Sequence, residues 1–320
     1  MSPLLSPTPA SGYARIVTAA TVWGSIALFV RATGANPAVI VFWRVFFASL
    51  AIGAYLAFKG RLGELPALPG RMRLRILGMG MLLALNWVFF LAALTLTKVA
   101  VAVLLGYLGP VFVAVLNPLV SRQPFDRRIV LPLALALLGI AIIVGPQDLA
   151  LSGGTHLLGA ACALASSVIY SFVIVFVKRL LEGVPASTYM LGEYLAASAV
   201  LLPAALLLPG PSGKMEWAAL VTIGVVHTAY TGALFLTGLR LVPADRAAIL
   251  TYAEPVSAVI FASLFLGEPL TPTVALGGAA VVAAGIRVAR LAPATTSSVE
   301  GPLVPISATD DPLLTDHLDT

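Results

Sequence analysis

Long apolar runs follow one another along almost the whole chain, separated by short polar stretches. Each run is close to the ~20 residues that an α-helix needs to cross the hydrocarbon core of a bilayer. The runs are too long and too uniformly apolar for the strands of a membrane barrel. The pattern therefore predicts an all-α integral membrane protein with ten transmembrane helices, at residues 14–34, 37–58, 72–95, 99–120, 128–146, 155–177, 187–208, 216–238, 244–266 and 272–291.

Two of these predicted helices carry the same interruption. Tyr107-Leu108-Gly109-Pro110 recurs 145 residues later as Tyr252-Ala253-Glu254-Pro255, each time inside an apolar run. A proline inside a helix donates no backbone hydrogen bond and clashes with the carbonyl four residues earlier, so Pro110 and Pro255 should interrupt their helices at matching places. Matched interruptions point to a substrate site where two repeats meet. Glu254 in the second copy takes the place of Gly109 in the first. We expect Gly109, which has no side chain, to leave room for the substrate.

The similarity between the two halves of the chain extends beyond this motif. At the same shift of 145 residues, Phe90 aligns with Phe235. The repeating unit contains five predicted helices, an odd number, so the second copy should enter the membrane from the opposite side. We therefore expect two inverted five-helix repeats, at residues 14–146 and 155–291, which is an arrangement typical of secondary transporters.

The distribution of positive charge predicts the orientation. The 320-residue chain has a net charge of +5 and 19 Lys and Arg residues. Only Arg31, Lys98 and Lys214 fall on one side of the predicted membrane, and Arg44 falls inside a span. The others lie on the opposite side, which the positive-inside rule assigns to the cytoplasm. We expect a multi-pass protein of the inner (plasma) membrane with both termini in the cytoplasm, and no nucleic-acid partner.

Composition restricts the remaining function classes. Only 10% of the residues are charged, against about 25% in a soluble domain. A single cysteine, Cys162, excludes an intramolecular disulfide framework and a multi-cysteine metal site. The chain lacks a nucleotide-binding loop and the common hydrolase and zinc-protease motifs. We expect neither an enzyme nor an ATP-driven pump, and no metal or cofactor.

Four Arg, Glu or His residues lie well inside predicted spans, more than five residues from either end, where such groups are costly and therefore suggest function. They are Arg44, Glu193, His227 and Glu254. Glu254 lies roughly 15 Å into its helix, near the midplane and within reach of Arg44 and His227. The proton affinity of a carboxyl group responds to burial and to nearby cations, so Glu254 and His227 are candidates for proton coupling. Arg44 and Glu193, like Pro110 and Pro255, are assigned gating or structural roles.

Aromatic and amide side chains complete the candidate substrate site. His227 and Tyr230 share one face if their helix is α-helical, because residues three apart are neighbours. The usual alternative for aromatic residues in such helices is an interfacial aromatic belt. Trp23, Tyr107 and Tyr252 lie too deep for a belt, so their alternative is packing. Asn86 fits either a contact between helices or a cavity wall. The full candidate substrate-binding set is Trp23, Asn86, Trp87, Tyr107, Tyr170, His227, Tyr230, Tyr252 and Glu254.

Four short motifs lie in or at the ends of predicted helices: Trp23-Gly24, Phe42-Trp43-Arg44-Val45-Phe46-Phe47-Ala48, Tyr252-Ala253-Glu254-Pro255-Val256 and Leu266-Gly267-Glu268-Pro269-Leu270-Thr271. Together they resemble the motifs of the EamA-type branch of the drug/metabolite transporter superfamily. The resemblance covers about residues 12–291 and implies export of amino acids, related metabolites or drugs, usually driven by protons or exchange. It also implies a central cavity lined by helices 1, 3, 4, 6, 8 and 9. Ser121-Arg122-Gln123-Pro124 departs from the helix-end motif in the first repeat.

The sequence thus favours a secondary transporter that exports a small metabolite, an amino acid or an amphipathic drug-like compound, by alternating access. A lipid or lipid-precursor flippase of the same fold and a metabolite importer are the alternatives. Expected partners are the bilayer, the solute, and protons or a counter-substrate, and a homodimer is left open. Residues 1–13 form an N-terminal cytoplasmic tail, and residues 292–320 form an acidic cytoplasmic tail that is expected to be disordered.

Overall fold

The computed structural model describes residues 8–97, 99–144, 154–267 and 270–291. Throughout these ranges the chain is helical and contains no strand. The predicted tail at 292–320 and most of the tail at 1–13 lie outside the described residues, as do Glu268 and Pro269 of the helix-end motif.

Fifteen α-helices follow one another in the described chain. Two further segments are not α-helical: a 3₁₀ turn at Arg127–Ile129 and a π-helix at Ile223–Tyr230, here called the π segment. The α-helices are α1 Pro9–Gly24, α2 Ile26–Thr33, α3 Pro37–Phe58, α4 Glu64–Ala67, α5 Gly70–Leu96, α6 Val99–Gly106, α7 Gly109–Ser121, α8 Val130–Val144, α9 Gly154–Gly183, α10 Ala186–Leu207, α11 Lys214–Thr222, α12 Thr231–Leu239, α13 Ala244–Leu250, α14 Ala253–Leu266 and α15 Pro272–Arg290.

The ends of several helices follow from local sequence. α3 begins at Pro37 behind Asn36, whose side chain accepts a hydrogen bond from Ala38 N at 3.0 Å. Proline suits the first helical position because its missing N–H would have no partner there. α14 ends at Leu266 and is followed by Gly267, which has φ +69°, a conformation that glycine adopts without steric cost.

Nine stretches within the described ranges are long and apolar enough to cross a membrane. They coincide with nine of the ten predicted runs. The remaining run, 128–146, contains α8, which has 15 residues and is followed by residues outside the described chain. The chain is therefore an all-helical, multi-pass membrane protein, and the count of ten spans stays a prediction.

Long helices from the two halves of the chain pack against each other in pairs. α5 and α7 contact α9, whereas α12 and α14 contact α1. In addition, α3 contacts α10, and α8 contacts α15. The last pair is close because Gly139 and Gly277 face each other: a Cβ on either would lie 2.6 Å from the carbonyl oxygen of the other. Small residues at such a contact let the backbones of two membrane helices approach closely.

Candidate functional site

The two Tyr-x-x-Pro interruptions contact each other in the interior. The helix stops between α6 and α7 at Tyr107-Leu108, and between α13 and α14 at Thr251-Tyr252. The hydroxyl of Tyr252 donates a hydrogen bond to the carbonyl oxygen of Tyr107 at 2.6 Å, and the centroids of the two rings lie 6.0 Å apart. The side chain of one interruption thus binds a backbone carbonyl of the other, and the predicted helix breaks are confirmed.

Tyr170 on α9 packs against both interruptions. Its hydroxyl oxygen lies 3.4 Å from Thr251 Oγ1. Its ring covers Gly109 so closely that a Cβ there would lie 2.6 Å from Tyr170 Cδ1. The expectation that Gly109 leaves room for a substrate is therefore wrong for this conformation, because the aromatic ring fills the space.

Glu254 lies in the first turn of α14, half-buried beside these tyrosines. It interacts electrostatically with Arg44 and with the hydroxyl groups of Tyr107 and Tyr170.

Arg44 points from α3 into the interior, where three elements meet around its guanidinium group. Its Nε donates to Thr228 Oγ1 at 2.8 Å, and its Cζ lies 3.8 Å from the centroid of the Trp87 ring. The second contact is a cation–π interaction, which is strongest when the cation is shielded from water. A cation and a carboxylate on different helices thus face the same interior region.

His227 is held by residues of the first two helices. Its Nε2 lies 2.8 Å from Ser25 Oγ, and its ring centroid lies 4.9 Å from that of Phe29. Its carbonyl oxygen accepts a hydrogen bond from Trp23 Nε1 at 2.7 Å. His227 is only 2% exposed, so in this conformation it joins α1 and α2 to the π segment.

The π segment changes which residues share a face. Threonine hydroxyls follow the i−5 spacing of a π-helix: Thr228 Oγ1 donates to Ile223 O at 2.8 Å and Thr231 Oγ1 to Val226 O at 2.7 Å. Tyr230 is 62% exposed, whereas His227 is buried. The expectation that the two share one face is wrong, because it assumed α-helical periodicity.

Asn86 and Glu193 bond within the helix bundle. Asn86 Nδ2 on α5 donates to the carbonyl oxygen and the hydroxyl oxygen of Ser166 on α9, at 2.7 and 2.9 Å. Glu193 is 5% exposed and accepts a hydrogen bond from Tyr189 on its own helix at 2.6 Å. Glu193 thus bonds within its own helix, whereas Asn86 makes the anticipated contact between helices.

Small polar residues of the site were missed by the sequence analysis. Ser25, Thr228 and Thr251 each bond or contact a candidate residue. Serine and threonine are also common in tightly packed membrane helices, so nothing in their spacing separated these three from packing residues.

A second polar cluster lies at the helix ends, far along the sequence from the interruptions. Arg246 is buried and donates from Nη1 to Leu291 O at 2.7 Å and to Tyr13 OH at 3.2 Å. Its Nη2 lies 3.4 Å from Asp126 Oδ2. Hydrogen bonds from Arg128 hold the pKa of Asp126 below its ordinary value of 3.8. The cluster joins α1, α13, the end of α15 and the turn before α8.

These features define a multi-pass membrane protein with a polar site in its helical interior. Comparison with known proteins identifies the class as a transporter: the EamA-like transporter family matches residues 10–145 and 157–289. The chain belongs to this family.

Two relatives and one solved structure show how far the similarity extends. An uncharacterized transporter of Archaeoglobus fulgidus is 32% identical over 276 residues, covering 85% of this chain and 94% of that protein. The threonine/homoserine exporter RhtA of Escherichia coli K12 is 28% identical over 206 residues, covering 63% of this chain and 66% of that protein. A crystal structure with 23% identity superposes with a TM-score of 0.76 and covers 88% of this chain and 98% of its own, which shows the fold alone.

Proposed function

We propose that this chain is a secondary transporter that exports a small metabolite, an amino acid or an amphipathic drug-like compound, by alternating access. In this proposal ten helices form two inverted repeats, residues 14–146 and 155–291, with both termini in the cytoplasm of a cell bounded by the inner (plasma) membrane. The observation that carries the proposal is the hydrogen bond between Tyr252 and the Tyr107 carbonyl, which joins matching interruptions of the two halves.

The helix contacts support the repeat because the main contacts between two helices recur between the equivalent helices of the opposite halves. The third predicted helix, α5, contacts the sixth, α9, just as the eighth, α12, contacts the first, α1. The fourth contacts the sixth through α7 and α9, as the ninth contacts the first through α14 and α1. A pair of repeats related by a two-fold axis in the membrane plane produces such matched contacts.

The charges around the interruptions suit a solute that carries both an amine and a carboxylate. Glu254 is an acceptor for an ammonium group, and the Arg44 guanidinium group offers several donors in a planar array that fits a carboxylate. Trp87, Tyr107 and Tyr252 supply aromatic surface for the rest of the solute. In the described conformation Arg44 contacts Trp87 and Thr228, and Tyr252 bonds to Tyr107, so the solute would replace such internal contacts when it binds.

Glu254 is also the proposed coupling group, with His227 as a second proton carrier. A carboxyl group that meets Arg44 in one conformation and water or solute in another changes its proton affinity between the two. The Arg246 cluster would close the cytoplasmic end, because it joins helices of both halves through one buried guanidinium group. Opening this end would require those contacts to separate.

The proposal is tested with purified full-length protein. A panel of amino acids and amphipathic amines is screened for a rise in melting temperature, since a solute that binds only the folded state at 100 times its Kd contributes about 2.7 kcal/mol. Threonine and homoserine are the first probes because a relative is named as their exporter. Solutes that stabilise the protein are then measured for flux in proteoliposomes.

Two results would contradict the proposal. A flippase would translocate labelled phospholipid while no water-soluble solute was stabilising or transported. An importer would transport the same solute, but the imposed gradient would accelerate movement toward the cytoplasmic face of the protein and not away from it.

A further inference from the structure

A second concave surface lies on the side of the bundle, away from the two interruptions. It is a groove of about 250 Å³ between α4, α5 and α10. Its walls are apolar except for one cationic side chain, Arg73. The apolar lining residues used below are Leu65, Ile76, Leu77 and Leu195.

The groove is a fixed part of the fold because α4 is bonded to α10. Glu64 on α4 accepts hydrogen bonds from Thr188 on α10 and from Arg61 in the preceding turn. Below α4, Gly192 brings α10 close to its neighbours: a Cβ there would lie 2.7 Å from Ile76 Cγ2 and 3.0 Å from Leu65 Cδ1. The absent side chain therefore lets Ile76 and Leu65 pack directly on α10, where they form the floor of the groove.

The groove begins at the start of α5, where a transmembrane helix passes from headgroup to hydrocarbon. Arg73 is in the first turn of α5, and a rise of 1.5 Å per residue places it within about 5 Å of the helix start. Leu77 and Leu195, which line the groove deeper in the helices, are 45% and 46% exposed. A chain lying across them would stay in an apolar environment while its end met a cation.

Positive charge is concentrated along the chain next to Arg73. The segment from residue 59 to residue 75 holds five Lys or Arg residues and a single carboxylate, which Arg61 already pairs. Arg71 and Arg75 are exposed on the same helix end as Arg73. Basic segments next to a transmembrane helix attract anionic lipid, with about 1 kcal/mol contributed by each side chain near the surface.

We propose that this groove binds one anionic phospholipid, with an acyl chain against Leu77 and Leu195 and the phosphate at Arg73. The volume is below the ~300–1,000 Å³ of pockets for drug-sized ligands, which suits one flexible chain better than a rigid solute. The site is separate from the proposed transport site, and it stands if that function fails.

The proposal is tested on the purified full-length protein with phosphatidylglycerol and phosphatidylcholine of matched chains. Native mass spectrometry counts bound lipid, and melting curves give the shift at each lipid concentration. We expect phosphatidylglycerol to bind with a stoichiometry of one at low concentration and to stabilise more than phosphatidylcholine. Arg73→Gln should weaken apparent phosphatidylglycerol affinity about fivefold, as expected from ~1 kcal/mol for one basic group.

Two matched variants distinguish a site from a basic surface. Arg75→Gln removes the same charge from the same helix end without lining the groove, so it should keep most of the affinity. Leu195→Trp fills the groove from its exposed side and should weaken both lipids. Equal losses for Arg73→Gln and Arg75→Gln would overturn the proposal in favour of diffuse attraction. The proposal would also be overturned if the wild type showed no preference for phosphatidylglycerol and formed a dimer that Leu195→Trp dissociates. The groove would then bind a second copy of the chain.

Discussion

The hydrogen bond between the two interruptions should be measurable as a contribution to stability. Tyr252 is fully buried, and its hydroxyl donates to the Tyr107 carbonyl at 2.6 Å. Tyr252→Phe keeps the ring and its packing, so it creates no large cavity and removes only the donor. The Tyr107 carbonyl is then left without this partner in the interior.

The expected cost follows from measured hydrogen bonds in similar settings. A buried group left unsatisfied costs about 1–3 kcal/mol in soluble proteins, and hydrogen bonds between membrane helices average about 0.6 with a maximum of about 1.7 kcal/mol. Tyr252→Phe should therefore lower the free energy of unfolding by about 1–2 kcal/mol. Steric trapping in bicelles, or unfolding in mixed detergent, measures this difference.

Two variants with the same chemical change serve as controls. Tyr230 is 62% exposed, so Tyr230→Phe should change stability by less than about 0.5 kcal/mol. Tyr107→Phe retains the backbone carbonyl that accepts the bond, and it should cost less than Tyr252→Phe. Similar values for Tyr252→Phe and Tyr230→Phe would refute the inference that this bond joins the two interruptions.

Three further perturbations probe other contacts. Gly109→Ala should destabilise the protein by about 1–3 kcal/mol because the new methyl group meets the Tyr170 ring, and adding Tyr170→Leu should recover part of the loss in a double-mutant cycle. Gly277→Ala should lower the melting temperature because its Cβ would meet a backbone oxygen at 2.6 Å. Gly285→Ala on the same helix is the control, because its Cβ would make only an ordinary contact at 3.7 Å. It should stabilise the protein by up to about 1 kcal/mol through helix propensity. Folding lowers the pKa of Asp126. The stability that this shift contributes is fully present above the pKa of the unfolded state and is lost as the pH falls through the pKa of the folded state. Between about pH 5 and pH 3, the melting temperature should therefore fall more steeply for the wild type than for Asp126→Asn.

The sequence predicted the helical architecture because the bilayer imposes a strong length and composition signal. Nine predicted runs coincide with candidate spans, and Pro110 and Pro255 mark the two interruptions in the sequence. The breaks follow from proline chemistry alone, whereas the bond from Tyr252 to the Tyr107 carbonyl depends on how distant helices pack.

The errors of the sequence analysis have a common cause in local geometry. Tyr230 was assigned to the face of His227 because a spacing of three implies one face only at 3.6 residues per turn. The π segment has more residues per turn than an α-helix, and no residue in Ile223–Tyr230 indicates this difference in the sequence. Gly109 looked like free space because a sequence does not show that the ring of Tyr170, 61 positions later, covers it.

Glu254 is the carboxylate that distinguishes the second interruption from the first, and it is the proposed coupling group. The decisive measurement is gradient-driven flux of a transported solute, with threonine as the first probe, into proteoliposomes that are acidic inside. In an antiporter, outward proton flow should accelerate solute uptake. Glu254→Gln should abolish the response to the gradient, whereas Glu193→Gln, which changes another intramembrane carboxylate, should retain it. Undiminished gradient-driven flux in Glu254→Gln at every pH, or an equal loss in both variants, would contradict the account.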